Sequence, residues 1–211
     1  MTWDLGNTAA VLLDMDGTLV DSERSIARAW TAWAIEHGVA PEATLAISHG
    51  TPTSAVVRAL LPDLDEAGVI RSASRQWALQ YDDLADVSAM RGAYQLLTIL
   101  ERLDLPWAVV TNADSRLADL RLCAAGIVPP LLITANDVIA GKPDPQGYRA
   151  AARQLRVASS RCLVVEDSSA GLAAGRAAGM PVAGLGGIDA DIPIEDLQQL
   201  ADLLQACLTT P

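Results

Sequence analysis

The chain of 211 residues has few cysteines and little positive charge. Three cysteines are too few and too scattered for a disulfide framework or a zinc knuckle, and they favour a reducing cytoplasm. A formal net charge of -11 argues against nucleic acid or an anionic membrane as a partner. Residues 1–8 lack a basic and a long apolar region, so no signal peptide is expected, and no apolar run approaches membrane-spanning length.

Lysine is almost absent. The 15 basic residues are arginines apart from one lysine, Lys142. Nucleotide composition bias accounts for the arginines, but a lysine that is kept at one position marks that position as a candidate site. If the substrate is an anion, the few cations must be gathered where it binds.

Short apolar runs predict buried strands, because each is four or five residues long and ends abruptly in polar residues or glycine. These runs are 9–13, 107–110, 131–134, 162–165 and 181–185. Helical patterns lie between them, at 94–103, 116–125, 145–155 and 170–178. The alternation predicts an α/β fold, with a Rossmann-like parallel sheet flanked by helices.

Residues 21–89 break this alternation. Their patterns predict helices alone, at 25–37, 41–47, 53–61 and 65–85, and no strand. We therefore expect a helical domain at 21–89, inserted into an α/β core domain made of 1–20 and 90–211. The linkers near 19–22 and 86–91 are candidate hinges.

Polar side chains follow the first four predicted strands. They are Asp14 and Asp16, Thr111 and Asn112, Lys142, and Glu166 and Asp167. In open parallel sheets such residues converge beyond the carboxyl ends of the strands. Four carboxylates repel one another unless a cation lies among them, and oxygen ligands favour a hard ion such as Mg²⁺. A metal ion, a lysine and backbone N–H groups together make a pocket for a phosphoryl group.

The spacing of Asp14 and Asp16 suits a division of chemical labour. In an extended strand their side chains would point apart, but a turn at Gly17 can redirect the second one. One carboxylate can then attack phosphorus while the other protonates the leaving oxygen.

Four segments resemble the signature motifs of the haloacid dehalogenase superfamily of phosphohydrolases. They are DMDGTLVDS at 14–22, TNA at 111–113, GKPDP at 141–145, and VEDSSAG at 165–171 followed by GRAAGM at 175–180. Their order and rough spacing agree with the superfamily over nearly the whole chain.

The resemblance implies a role for each residue in the reaction. Asp14 forms an aspartyl-phosphate, while Asp16 protonates the leaving alcohol and then activates water. Thr111 hydrogen-bonds the phosphate, helped by the Asn112 amide. Lys142 neutralises the phosphate and the nucleophile.

The resemblance also implies a Mg²⁺ site and a cap. Asp14, the backbone carbonyl of Asp16 and Asp167 bind the ion, and Glu166 binds it directly or through water. The helical domain at 21–89 would be a mobile cap that closes over the substrate.

Cap segments are similar to those of the sugar-phosphate and polyol-phosphate phosphatases of this superfamily. The similar segments are SHGTPT at 48–53 with Arg58 after it, and RAW at 28–30. His49, Gly50 and Arg58 are therefore candidates for substrate specificity. The expected function is Mg²⁺-dependent hydrolysis of a small phosphorylated sugar or polyol, by a cytoplasmic monomer or weak dimer.

Other functions on the same scaffold are less well supported. Dehalogenation needs no set of Mg²⁺ ligands and would leave the acid at Asp16 with little catalytic purpose. Phosphonate cleavage needs a lysine in the cap, and the predicted cap has none. A sugar-phosphate mutase and a phosphoglycolate-type phosphatase remain alternatives. A phosphosugar-binding protein without catalytic activity is the alternative of a different class.

Overall fold

The strands form a six-stranded sheet and a separate two-stranded ribbon in the computed structural model, which describes residues 4–48 and 50–209. The strands are β1 (Ala10–Leu13), β2 (Val20–Asp21), β3 (Ser88–Ala89), β4 (Trp107–Val110), β5 (Leu132–Ile133), β6 (Cys162–Glu166), β7 (Val182–Gly184) and β8 (Ile192–Pro193). The large sheet has the order β5-β4-β1-β6-β7-β8, and all its neighbouring strands are parallel. The predicted parallel sheet is thus confirmed.

Helices cover both faces of this sheet. The helices are α1 (Glu23–Glu36), α2 (Pro41–Ser48), α3 (Thr53–Leu60), α4 (Glu66–Tyr81), α5 (Ala93–Arg102), α6 (Ser115–Ala124), α7 (Gln146–Leu155), α8 (Ser169–Ala177) and α9 (Leu197–Thr209). On one face Val11 and Leu13 pack with α5, α6 and α9, and on the other Ala10 and Leu12 pack with α7 and α8. A strand buried on both faces is apolar at every position, which explains the uninterrupted run of β1.

The helices α1 to α4 form the inserted helical unit, which has its own apolar core. Trp30, Trp33, Val57 and Val69 are buried in that core. The indole N–H of Trp33 donates to the backbone oxygen and to the hydroxyl of Ser72, each at 3.1 Å, so its one polar atom is satisfied. The predicted helical insertion is confirmed.

The two segments that connect the sheet to the helical unit pair with each other. β2 and β3 form an antiparallel ribbon, with Val20 opposite Ala89 and Asp21 opposite Ser88. No strand was expected at residues 21–89, because two residues are too few to give an alternating pattern. The ribbon holds the entering and leaving segments side by side.

Two further elements, β8 and α9, extend the fold beyond the predicted ones. β8 is two residues long and lies at the sheet edge, and α9 packs its Leu200 and Leu204 into the core. In the described part of the chain, no helix is both long and apolar enough to cross a membrane.

Candidate active site

The candidate site lies at the carboxyl ends of three adjacent strands, β4, β1 and β6. Asp14 directly follows β1, Thr111 follows β4, and Glu166 is the last residue of β6. The Asp14 N–H donates to the Val165 carbonyl at 3.0 Å, so the sheet ladder still fixes the backbone at this point. Because parallel strands all end at the same edge, residues far apart in sequence meet here.

Lys142 is the cation at the centre of the site. Its Nζ donates to Asp14 Oδ1 and, at 2.6 Å, to Glu166 Oε1, and the residue is only 6% exposed. Burial alone would lower the pKa of Lys142, but the charges of Asp14 and Glu166 outweigh it and hold that pKa above its ordinary value. The ammonium therefore stays charged beside both carboxylates.

The side chain of Asn112 fixes the backbone at Lys142. Its Oδ1 accepts from the Lys142 N–H at 2.8 Å, and its Nδ2 donates to the Lys142 carbonyl at 3.1 Å. A β-carbon at Gly141 would lie 2.4 Å from the same Oδ1, so this close approach requires glycine. The sequence predicted a contact between Asn112 and phosphate. In the structure the side-chain amide of Asn112 hydrogen-bonds the backbone of Lys142.

Glu166 is fully buried and has several hydrogen-bond donors. Oε1 accepts from Tyr148 Oη at 2.7 Å as well as from Lys142, while Oε2 accepts from Ser168 Oγ at 3.0 Å. The N–H groups of Asp167 and Ser168 also point at Oε2, at 3.2 and 3.3 Å. A β-carbon at Gly171 would overlap this carboxylate, at 1.8 Å. The site therefore holds Glu166 in one orientation.

Three carboxylates, those of Asp14, Glu166 and Asp167, each bring an oxygen within 4.8 Å of the others. Burial raises the pKa of Asp14 well above its usual value; Lys142 opposes that rise, and the charges of Glu166 and Asp167 add to it. Three acids with one ammonium leave a local excess of negative charge. An all-oxygen set of this kind fits a hard divalent cation such as Mg²⁺.

Gly17 makes room for Asp167 in this cluster. A β-carbon at Gly17 would lie 2.0 Å from Asp167 Oδ2, and the residue has a φ of +81°, which glycine adopts without strain. The turn that follows Asp16 thus lets the motif after β1 contact the motif after β6.

Asp16 has partners different from those of Asp14. Ser22 Oγ donates to Asp16 Oδ1 at 2.6 Å, and Arg121 Nη1 donates to Asp16 Oδ2 at 2.7 Å. The Gly17 N–H donates to the Val20 carbonyl at 2.9 Å and closes the turn between them. Asp14 thus pairs with the lysine of the site, whereas Asp16 pairs with an arginine.

Thr111 is a buried hydroxyl at the end of β4. Its Oγ1 accepts from the Ala113 N–H at 3.0 Å, which leaves the hydroxyl hydrogen for an acceptor in the site. Asp114, three residues after Thr111, caps α6 by accepting from the Leu117 N–H at 2.8 Å.

Three residues of the inserted helical unit were expected to contact substrate. Gly50 lies against the core, since a β-carbon on it would be 2.9 Å from Ser168 Cβ. Arg58 is half-exposed on α3, where it donates to Glu66 Oε2 at 2.5 Å. His49 lies outside the described residues. The structure therefore brings Gly50 to the site and pairs Arg58 within the helical unit.

Sequence reasoning missed Arg121 and Tyr148, which contact the site from buried positions. Arg121 falls in the buried stripe of α6 formed with Leu117, Ala118 and Leu122. A charged residue inside an apolar helical stripe is the signal that could have identified it, because such a residue needs a buried partner.

Comparison with known proteins identifies the family. A model of the haloacid dehalogenase-like hydrolases matches residues 8–179. The chain belongs to this family. Hexitol phosphatase A of Escherichia coli (strain K12) is 38% identical over 172 residues, covering 81% of this chain and 80% of that protein. 2-Deoxyglucose-6-phosphate phosphatase 1 of Saccharomyces cerevisiae (strain ATCC 204508 / S288c) is 33% identical over 193 residues, covering 82% and 78%.

The fold of this haloacid dehalogenase-like hydrolase also occurs among solved structures. A hydrolase from Pseudomonas syringae superimposes with a TM-score of 0.84 at 24% identity, covering 94% of this chain and 99% of that one. The family match over residues 8–179 and the two relatives confirm the resemblance drawn from the four motifs. Both curated relatives are named as phosphatases, in agreement with the predicted enzyme class.

Proposed function

We propose that the protein is a Mg²⁺-dependent phosphomonoester hydrolase that acts on a small phosphorylated sugar or polyol through an aspartyl-phosphate. The observation that carries the proposal is the arrangement of two aspartates with separate partners. Asp14 lies beside Lys142 and two further carboxylates, and Asp16 is held apart by Ser22 and Arg121. Such a pair can supply a nucleophile and a proton donor to one phosphate.

In the first half-reaction an Asp14 carboxylate oxygen attacks phosphorus, and the bond from phosphorus to the substrate oxygen breaks. Asp16 gives its proton to that oxygen, which leaves as an alcohol. Lys142 is within hydrogen-bond reach of the Asp14 carboxylate, so its charge opposes the repulsion between this carboxylate and the incoming phosphate.

In the second half-reaction water attacks the phosphorus of the aspartyl-phosphate. Asp16, now ionised, takes a proton from that water, and Asp14 is released as a carboxylate with free phosphate. The same carboxyl group thus acts as an acid and then as a base, and the cycle returns it to its starting state.

Phosphate binding is proposed for Thr111, Asn112 and Lys142. The Thr111 hydroxyl keeps its hydrogen for an acceptor. Because the Asn112 side chain is engaged with Lys142, the group it offers to phosphate is its backbone N–H. A buried set of donors of this kind stabilises a doubly charged phosphoryl group.

The Mg²⁺ ligands in this proposal are Asp14, the backbone carbonyl of Asp16, Asp167 and Glu166. The close oxygens of Asp14, Glu166 and Asp167 support it. Both oxygens of Glu166 already accept hydrogen bonds, Oε1 from Lys142 and Oε2 from Ser168, so Glu166 binds the ion either directly through a remaining lone pair or through a water. A bound Mg²⁺ would supply positive charge that attracts the phosphate and offsets the charge that develops on it.

Residues 21–89 are proposed as the cap domain over a core of 1–20 and 90–211, with substrate contacts from His49, Gly50 and Arg58. The approach of Gly50 to Ser168 supports the placement of this loop. The protein acts in this proposal as a cytoplasmic monomer or weak dimer, and its three cysteines are free thiols. The two relatives named as hexitol and 2-deoxyglucose-6-phosphate phosphatases support the substrate class.

A substrate panel tests the proposal. We expect phosphate release from hexitol phosphates, 2-deoxyglucose 6-phosphate or glycerol phosphate with Mg²⁺, weaker release from phosphoglycolate and nucleotide monophosphates, and none from any of them in EDTA. The same samples are assayed for conversion of hexose 1-phosphate to hexose 6-phosphate, which would reveal a mutase. Binding of a phosphosugar without phosphate release from any substrate would contradict the proposed hydrolysis.

A further inference from the structure

Arg121 is a buried arginine that joins the proton-transferring aspartate to the cap. It lies on α6 of the core, is 1% exposed, and donates from Nη1 to Asp16 Oδ2 at 2.7 Å. From Nη2 it donates to Gln80 Oε1 at 2.5 Å. A guanidinium removed from water is tolerated only where acceptors are held close to it, so these two acceptors fix its position.

The carboxylate of Asp16 is held on both oxygens. Ser22 Oγ donates to Oδ1 and Arg121 Nη1 donates to Oδ2, at 2.6 and 2.7 Å. A carboxylate accepts about four hydrogen bonds, so lone pairs remain on each oxygen for the proton that Asp16 must transfer. Two donors on opposite oxygens restrict rotation of the group while leaving it able to react.

On the other side of Arg121 the contacts lead into the cap helix α4. Gln80 Nε2 donates to Gln76 Oε1 at 2.5 Å, and the two glutamines stand one helical turn apart on its buried face. A continuous chain of hydrogen bonds therefore runs from the partly exposed Asp16 through the buried Arg121 and Gln80 to Gln76. Two of its members belong to the core and two to the cap.

We propose that Arg121 is a positioning residue that orients the Asp16 carboxylate for proton transfer, and that Gln80 holds Arg121 in the required place. The inference rests on the proposed function, because it presupposes that Asp16 transfers a proton. It assigns no contact between Arg121 and substrate. It makes the packing of α4 on the core a condition for a well-oriented acid/base group.

The test compares substrates that differ in their need for a proton. An alkyl phosphate requires protonation of its leaving oxygen, whereas the p-nitrophenolate of p-nitrophenyl phosphate leaves without one. Release of the alcohol or phenolate is followed in single turnovers with enzyme in excess, which isolates the first half-reaction. The test variants are Arg121→Met, Arg121→Lys and Gln80→Met. The control variant is Arg75→Met, which removes a cap arginine whose exposed partner is Glu36.

For Arg121→Met we expect the single-turnover rate on the alkyl phosphate to fall about 100-fold, the scale of general acid catalysis. The rate on p-nitrophenyl phosphate should fall less than about 5-fold, and KM should change less than about 2-fold, because neither depends on the proton that Asp16 donates. Arg121→Lys should recover part of the loss, and Gln80→Met should show the same selectivity at about 10-fold. Arg75→Met should match the wild type.

An equal loss on both substrates, or a rise in KM at constant kcat, would overturn the inference, since a merely structural role predicts either. If Arg121→Met does not fold, Gln80→Met and Arg121→Lys decide by the same criterion. Absence of turnover in the wild type would overturn the proposed function and the inference with it. Wild-type turnover with no effect in Arg121→Met would overturn the inference alone.

Discussion

Replacing Asp14 with asparagine is expected to reduce phosphate release by more than about 10⁴-fold, because the proposed nucleophile is lost and no other group at this position can form the acyl phosphate. The substitution changes little else. An asparagine oxygen can still accept from Lys142, and the side chain keeps its size. Steady-state phosphate release with Mg²⁺ and saturating substrate measures the effect.

The fold of the Asp14→Asn variant serves as its control. Burial, together with the charges of Glu166 and Asp167, holds the pKa of Asp14 above its usual value, so its ionised form opposes folding of the metal-free protein at neutral pH. The midpoint of thermal unfolding in EDTA should therefore equal or exceed that of the wild type. Residual turnover above about one per cent in a folded variant would mean that another residue is the nucleophile.

Replacing Lys142 with methionine is expected to lower the free energy of unfolding in EDTA by about 3–5 kcal/mol, because Asp14 and Glu166 lose the cation that compensates them in a buried site. Turnover should fall by at least about 10³-fold, since the phosphate meets uncompensated carboxylates. Urea denaturation with and without Mg²⁺ measures the first effect. Added Mg²⁺ should stabilise this variant more than the wild type, because the ion supplies part of the missing charge.

A surface pair provides the matched comparison for Lys142. The pair of Arg75 with Glu36 has a distance of 2.5 Å, but both side chains are more than a third exposed. Arg75→Met should therefore cost about 0–1 kcal/mol. A Lys142→Met variant that is as stable as Arg75→Met in EDTA would show that the carboxylates of the site do not depend on this lysine.

The sheet and the central site could be predicted because their signals are local. A strand covered on both faces is apolar throughout, so the run that ends before Asp14 is visible without any knowledge of its neighbours. The parallel arrangement then brings Thr111, Lys142 and Glu166 to the same edge, because every strand of such a sheet ends there. The four motifs predicted the family.

The contacts of Asp16 could not be predicted in the same way. Arg121 lies 105 positions away in the chain, and Gln80 comes from a different part of the fold. The apolar stripe around Arg121 indicates that this residue needs a buried partner but does not say which one, and only the packing of α4 against α6 brings Gln80 to it. The β2-β3 ribbon was missed for a related reason, since its two residues per strand carry no periodic signal.

The central claim is that phosphate passes through Asp14, and trapping of the covalent intermediate tests it most directly. In an Asp16→Asn variant, p-nitrophenyl phosphate can still phosphorylate Asp14, because its leaving group needs no proton, but water lacks its base. Samples quenched in acid with Mg²⁺ present should contain one phosphate on the peptide that includes Asp14, and hydroxylamine should remove it. Release of p-nitrophenolate with no phosphate on the protein, or with phosphate on another residue, would contradict the account.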